Sequence, residues 1–164
     1  MNLKNTNTKW LFLCAIAHEK KNKSRHLKDI SFGVFALLKN KIPVKNIEII
    51  IDEFEGYEDE IFVQQMLCQF DIKGIDKLDS IIKECQNENF VVIFLGHGNE
   101  NGLGTIPPIK SYQIIENLKS NNSLKCIALI FGQCYAGVFN YVDLQKISDL
   151  GEIENINICL MGAS

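Results

Sequence analysis

Phe90-Val91-Val92-Ile93-Phe94-Leu95-Gly96-His97-Gly98 is the stretch that decides the architecture of this 164-residue chain. Six consecutive apolar residues with little alternation do not suit a strand wetted on one side. They suit a strand buried on both faces of a parallel sheet. Gly96 ends the run, so His97 lies just beyond the strand's carboxyl end. A second run, Cys126 to Phe131 (CIALIF), ends in the same manner at Gly132-Gln133-Cys134. Parallel neighbours need a crossover of a dozen or more residues, usually with a helix. His97 and Cys134 are 37 positions apart, and Ser111 to Leu118 (SYQIIENL) supplies a helical segment between them. Adjacent strands lie about 5 Å apart, so such a pair delivers imidazole and thiol to one edge of the sheet. Open α/β sheets bind ligands at that edge.

The flanking segments extend the pattern. Trp10 to Ala17 (WLFLCAIA) imitates a signal peptide, but its apolar stretch is short and its Ala15-Ile16-Ala17 cleavage motif lies inside it. It reads better as the first, central strand. Ser24 to Leu38 carries Leu27, Ile30, Val34, Leu37 and Leu38 at helical spacing. Asn46 to Asp52 reads as a strand, Asp52 to Glu60 as a solvated acidic loop, and Glu58 to Phe70 as a short helix. Asp76 is placed to cap a helix striped by Leu78, Ile81, Ile82 and Cys85. Asn99 to Pro108 suits a tight turn or hairpin, a short helix follows Cys134, and Glu152 to Leu160 is a fifth strand. The expected fold is α/β: a doubly wound, mainly parallel sheet of about five strands with helices on both faces, forming one domain over residues 1–164.

Composition narrows the function classes. A hydrophobic fraction of 46% suits one domain with a sizeable core. Net charge is −3 and 16 of the 17 basic residues are Lys, so there is no broad basic footprint and nucleic acid is not an expected partner. No segment approaches the roughly 18 apolar residues of a membrane span. The six cysteines lack metal-type or disulfide-type spacing, which implies a reducing, cytoplasmic setting. Cys14, Cys126 and Cys159 fall within strand patterns and are expected to be shielded. A zinc site at His97 and Cys134 needs a further convergent ligand. None is evident, and no metal or cofactor is expected.

A thiolate is the reactive form of cysteine, and a neighbouring imidazole promotes its formation or takes its proton. Gly98 lets backbone approach closely, so its N–H and that of Cys134 are candidate donors to an oxyanion, each such donor being worth about 3–4 kcal/mol of barrier. Taken singly, a cysteine after an apolar run is usually a small buried hydrophobe, and a histidine there is usually a surface residue. Their joint placement at matched depth favours a nucleophile with its base.

At these residues the chain resembles the caspase-like cysteine peptidases, the group of caspases, metacaspases, gingipains, separases and legumains. The resemblance lies in a hydrophobic strand ending in His97-Gly98 and another ending in Cys134, with Gly137 three residues on. Legumain is the nearest branch, through Arg25-His26-Leu27-Lys28-Asp29 and Lys41-Ile42-Pro43, and the likeness spans roughly residues 9–164. It implies a cysteine endopeptidase in which Cys134 is the nucleophile, His97 the base and Gly98 an oxyanion donor. It further implies a substrate pocket drawing on Arg25, His26 and Gln133. Arg25 is the only arginine, which suggests that a planar bidentate donor is wanted there. Cleavage after Asn or Asp is the corresponding expectation, with a protein or peptide as substrate.

Departures from the family pattern are specific. Gln133 adjoins Cys134 directly, Tyr135-Ala136 follow it, and Gly96 stands before His97. The family also builds one pocket wall from residues beyond the fifth strand, so a second chain or a C-terminal segment is expected to complete the unit. The alternative expectation is a non-catalytic or partner-dependent caspase-like module with a regulatory or assembly role.

Overall fold

A computed structural model describes residues 7–16, 23–53, 61–105, 108–134 and 157–162. The apolar runs become strands β1 (Thr8–Ala15), β2 (Ile47–Ile51), β4 (Asn89–Gly96) and β7 (Cys126–Phe131). They are joined by β3 (Ile72–Lys73) and β8 (Asn157–Gly162) in one six-stranded sheet of order β3-β2-β1-β4-β7-β8. Every pairing in it is parallel. A separate antiparallel pair, β5 (Gly98–Asn99) and β6 (Gly102–Leu103), forms a hairpin directly after β4.

Side chains alternate across a strand, and here both faces are apolar. Trp10, Phe12 and Cys14 of β1 enter one core, with Ile47, Ile49 and Ile51 of β2. Helices α1 (Lys23–Lys39) and α2 (Ile61–Leu67) cover that face through Leu27, Ile30, Val34, Val63 and Leu67. The intervening residues Leu11, Leu13 and Ala15 enter the other core with Phe90, Val92 and Phe94 of β4 and Ile127, Leu129 and Phe131 of β7. That face is covered by α3 (Leu78–Lys83) and α4 (Ser111–Lys119) through Leu78, Ile82, Ile114 and Leu118. Burial on both sides is why these strands read as unbroken apolar runs.

The chain lays β2 and β3 to one side of β1, then returns to place β4 on its other side and continues outward. The order therefore reverses between β1 and β4. In doubly wound sheets the crevice for ligands opens beyond the carboxyl ends at this kind of switch point. Ala15 pairs with Gly96 there, and the His97 N–H donates to the Ala15 carbonyl at 2.8 Å.

The expected fold class holds, with local corrections. The sheet has six strands rather than five, because the two-residue β3 pairs with Ile49 and Ile50. The last strand starts at Asn157 rather than Glu152. Asp76 is not a helix cap: it sits in a 3₁₀ turn, Ile75–Lys77, and pairs with Lys77 Nζ at 2.9 Å in solvent. Cys85 lies beyond the end of α3 rather than on it, although it is buried. The expected helix after Cys134, Gly137 and most of the acidic loop lie outside the described residues. Among the described residues, no helix is long and apolar enough to cross a membrane.

Candidate active site

The β4–β7 register sets the depth at which the two candidate groups emerge. Phe94 and Phe131 are paired residues, and their rings stack with centroids 4.5 Å apart and planes at 12°. A stacked cross-strand aromatic pair resists slippage, adding about 0.5–1.5 kcal/mol beyond its buried area. His97 stands three residues past Phe94 and Cys134 three past Phe131. Both are exposed, so base and nucleophile candidates leave neighbouring strands the same number of residues beyond a fixed rung.

Beyond that rung the segments leaving β4 and β7 touch. A methyl group on Gly98 would fall 2.2 Å from the Cys134 carbonyl oxygen and 2.9 Å from Gln133 Nε2. Only a residue without a side chain allows this approach. Gly96 is constrained differently: its φ of +93° lies where L side chains rarely go, and a Cβ would meet the Ala15 carbonyl oxygen at 2.1 Å. The hairpin then fixes how Gly98 faces. The Gly104 N–H donates to the His97 carbonyl at 2.8 Å, while Leu103, opposite Gly98, exchanges hydrogen bonds with Ile109. In an antiparallel ladder, hydrogen-bonded and non-bonded pairs alternate. Gly98 is thus in a non-bonded pair, and its N–H points to the side opposite β6.

The first turn of α1 supplies the third element at this edge. His26 is 4% exposed, and its ring meets that of His97 edge to face, with centroids 5.7 Å apart and planes at 75°. Arg25 is exposed, and its guanidinium approaches His26 Nε2 at 3.3 Å. It turns toward the neighbouring ring rather than toward Asp29 one helical turn on. Asp52, just after β2, ties down the same edge by accepting the Ile16 N–H at 2.7 Å. Its part was not legible in the sequence, where it reads as the first residue of an acidic loop.

Gln133 is 3% exposed, packed beneath Gly98, and its amide nitrogen and oxygen have no hydrogen-bond partner. The structure therefore brings His97, Gly98, Cys134, Arg25, His26 and Gln133 to one edge, but presents only His97, Arg25 and Cys134 as exposed groups. Of the cysteines expected to be shielded, Cys14 is buried and Cys126 half-buried, whereas Cys159 is exposed. β8 is the outermost strand, so an apolar pattern there does not guarantee two covered faces. Burial pushes the Cys85 thiol up, away from its reactive form. Among the described residues, no group of three or more metal-ligating side chains converges on a point. No protein-family model, curated protein or solved structure matches the chain.

Proposed function

We propose that this chain is a caspase-like cysteine endopeptidase that works through Cys134 and His97. The observation that carries the reading is the matched three-residue offset of both groups from the stacked Phe94–Phe131 rung. The Cys134 sulfur attacks the peptide carbonyl carbon while His97 takes the thiol proton. The resulting oxyanion is held by the N–H groups of Gly98 and Cys134, and His97 returns the proton to the departing amine. Water then cleaves the thioester and frees the enzyme. The close approach of Gly98 to the Cys134 backbone, and a Gly98 N–H turned away from β6, support the oxyanion role.

The finer reading keeps Asn or Asp before the cleaved bond. It rests on the resemblance to legumain and on the exposed guanidinium of Arg25 at this edge. A cytoplasmic setting rests on cysteine usage in the sequence. The test is a peptide electrophile ending in Asn or Asp, followed by mass mapping of the labelled residue. Cys134 should be labelled first, and His97→Ala should slow acylation by about 100- to 10,000-fold. Faster labelling of the other exposed thiols, Cys68 or Cys159, would refute the assignment.

A further inference from the structure

A guanidinium carries five N–H donors and no acceptor, and it keeps its proton in proteins. When Arg25 approaches His26 Nε2 at 3.3 Å, the ring nitrogen has to be the acceptor. It therefore carries a lone pair and no hydrogen, which leaves the proton of a neutral His26 on Nδ1. Lysine is used everywhere else in this chain, and the single arginine stands where a fixed planar donor lies beside an imidazole.

The ring set in this way meets His97 edge to face at 5.7 Å. Two imidazolium rings at that distance, with a guanidinium alongside, would repel one another. A neutral His26 removes that repulsion. Charged or titratable groups on the elements that meet here include Lys28 and Asp29 on α1, Asp52 and Glu53 after β2, Glu100 in the hairpin turn and Cys134 after β7. Asp52 Oδ1 accepts the Ile16 N–H, and Glu100 is exposed at the hairpin tip.

We propose that Arg25 and His26 are positioning residues for His97: Arg25 fixes His26 as a neutral ring with its proton on Nδ1, and the buried His26 ring fixes the orientation of His97. The proposal rests on His97 being the base. It gives Arg25 a task exerted through His26, separate from any contact with substrate.

Nitrogen-detected NMR of the full chain, with its three histidines assigned, tests the first half. His26 Nε2 should give the signal of an unprotonated ring nitrogen across about pH 5–8, the range in which free imidazole titrates. In Arg25→Ala, that nitrogen should gain a proton within the same range. A protonated Nε2 in the wild-type chain, or identical His26 behaviour in Arg25→Ala, would overturn the proposal. Acylation by the peptide electrophile tests the second half. His26→Ala should lose about two- to tenfold, the size of one edge-to-face contact, and His26→Phe, which keeps an aromatic edge against His97, should recover most of that loss. The loss should fall on the maximal rate, with the saturating peptide concentration unchanged. A change in saturation alone would make His26 a substrate contact and overturn the positioning role. Should no peptide acylate Cys134 even in the wild-type chain, the peptidase reading falls and the orientation claim falls with it, while the NMR signatures still decide whether Arg25 sets the protonation of His26.

Discussion

Replacing Gly98 with alanine would put a methyl group 2.2 Å from the Cys134 carbonyl oxygen, where real Cβ contacts essentially never fall below 3.0 Å. The ends of β4 and β7 must then part by about 0.8 Å or more to relieve the overlap. Overpacking of this kind costs about 1–3 kcal/mol, a drop of about 2–12 °C in Tm for a chain of this size. The chemical effect should be larger, because a displacement of about 1 Å between reacting groups costs about 100-fold in rate. Two neighbouring glycines grade the argument. A Cβ at Gly104 would lie 3.0 Å from the His97 carbonyl oxygen, a tighter fit than usual but no collision. At Gly132 it would lie 3.2 Å from Leu95 Cδ2, the movable end of a side chain, and 3.3 Å from the Phe94 carbonyl oxygen, the widest backbone clearance of the three. Acylation rates with a peptide electrophile and thermal melts of the three alanine variants should rank Gly98 as most damaging, then Gly104, then Gly132. Wild-type acylation and Tm in Gly98→Ala, or equal damage from Gly132→Ala, would refute the reasoning.

Asn121 is buried, donates to the carbonyls of Ile82 at 2.7 Å and Cys85 at 2.8 Å, and accepts the Ser123 N–H at 2.8 Å. Asn121→Ala strips the carboxyl end of α3 of its partner and should cost about 2–4 kcal/mol in urea unfolding. Glu48 bridges Lys9 at 2.7 Å and Lys73 at 2.6 Å; burial pushes its carboxyl up, but the two lysines outweigh this and hold it below its ordinary value. A lowered folded value means that its stabilisation is present above the ordinary carboxylate range and is lost as pH falls through the folded value. Stability measured against pH should accordingly show a shallower acid limb in Glu48→Gln. Lys41 has φ of +63° at the end of α1, where the Lys41 and Ile42 N–H groups return to the Leu38 and Leu37 carbonyls. This αL cap favours glycine, so Lys41→Gly should raise stability by about 1 kcal/mol.

Much of the fold is readable because the strands nearest the switch point are enclosed on both sides. Enclosure removes the need for polar residues, and the runs in β1, β4 and β7 carry no competing periodicity. β3 is different. Two residues, Ile72 and Lys73, cannot display any period, and the strand exists only because Ile49 and Ile50 already offer an edge to pair with. Cys159 shows the converse, since the apolar character of β8 records what its strand neighbour needs and not what covers its outer side.

The candidate site was partly legible for a related reason. His97 and Cys134 follow strand ends, so their placement is inherited from the sheet. The burial of His26 and Gln133 is a property of how α1 and the glycine loop settle on that edge, and no local pattern encodes it. Asn121 was missed because a polar residue in a loop carries no sign that three backbone carbonyls lie within its reach.

The short spacers beyond Phe94 and Phe131 also work as a ruler for length variation. One residue added between Phe131 and Cys134 would break the matched three-residue offset of the thiol and the imidazole from the stacked rung. Glu100 and Asn101, exposed at the tip of the hairpin, impose no such condition, because the chain returns to Gly104 by its hydrogen bond to His97. An insertion scan should therefore be permissive at that tip and intolerant in the two spacers. Over evolutionary time, changes in chain length would be confined to the rim, leaving the reach of the two side chains constant while the surface around them is rebuilt.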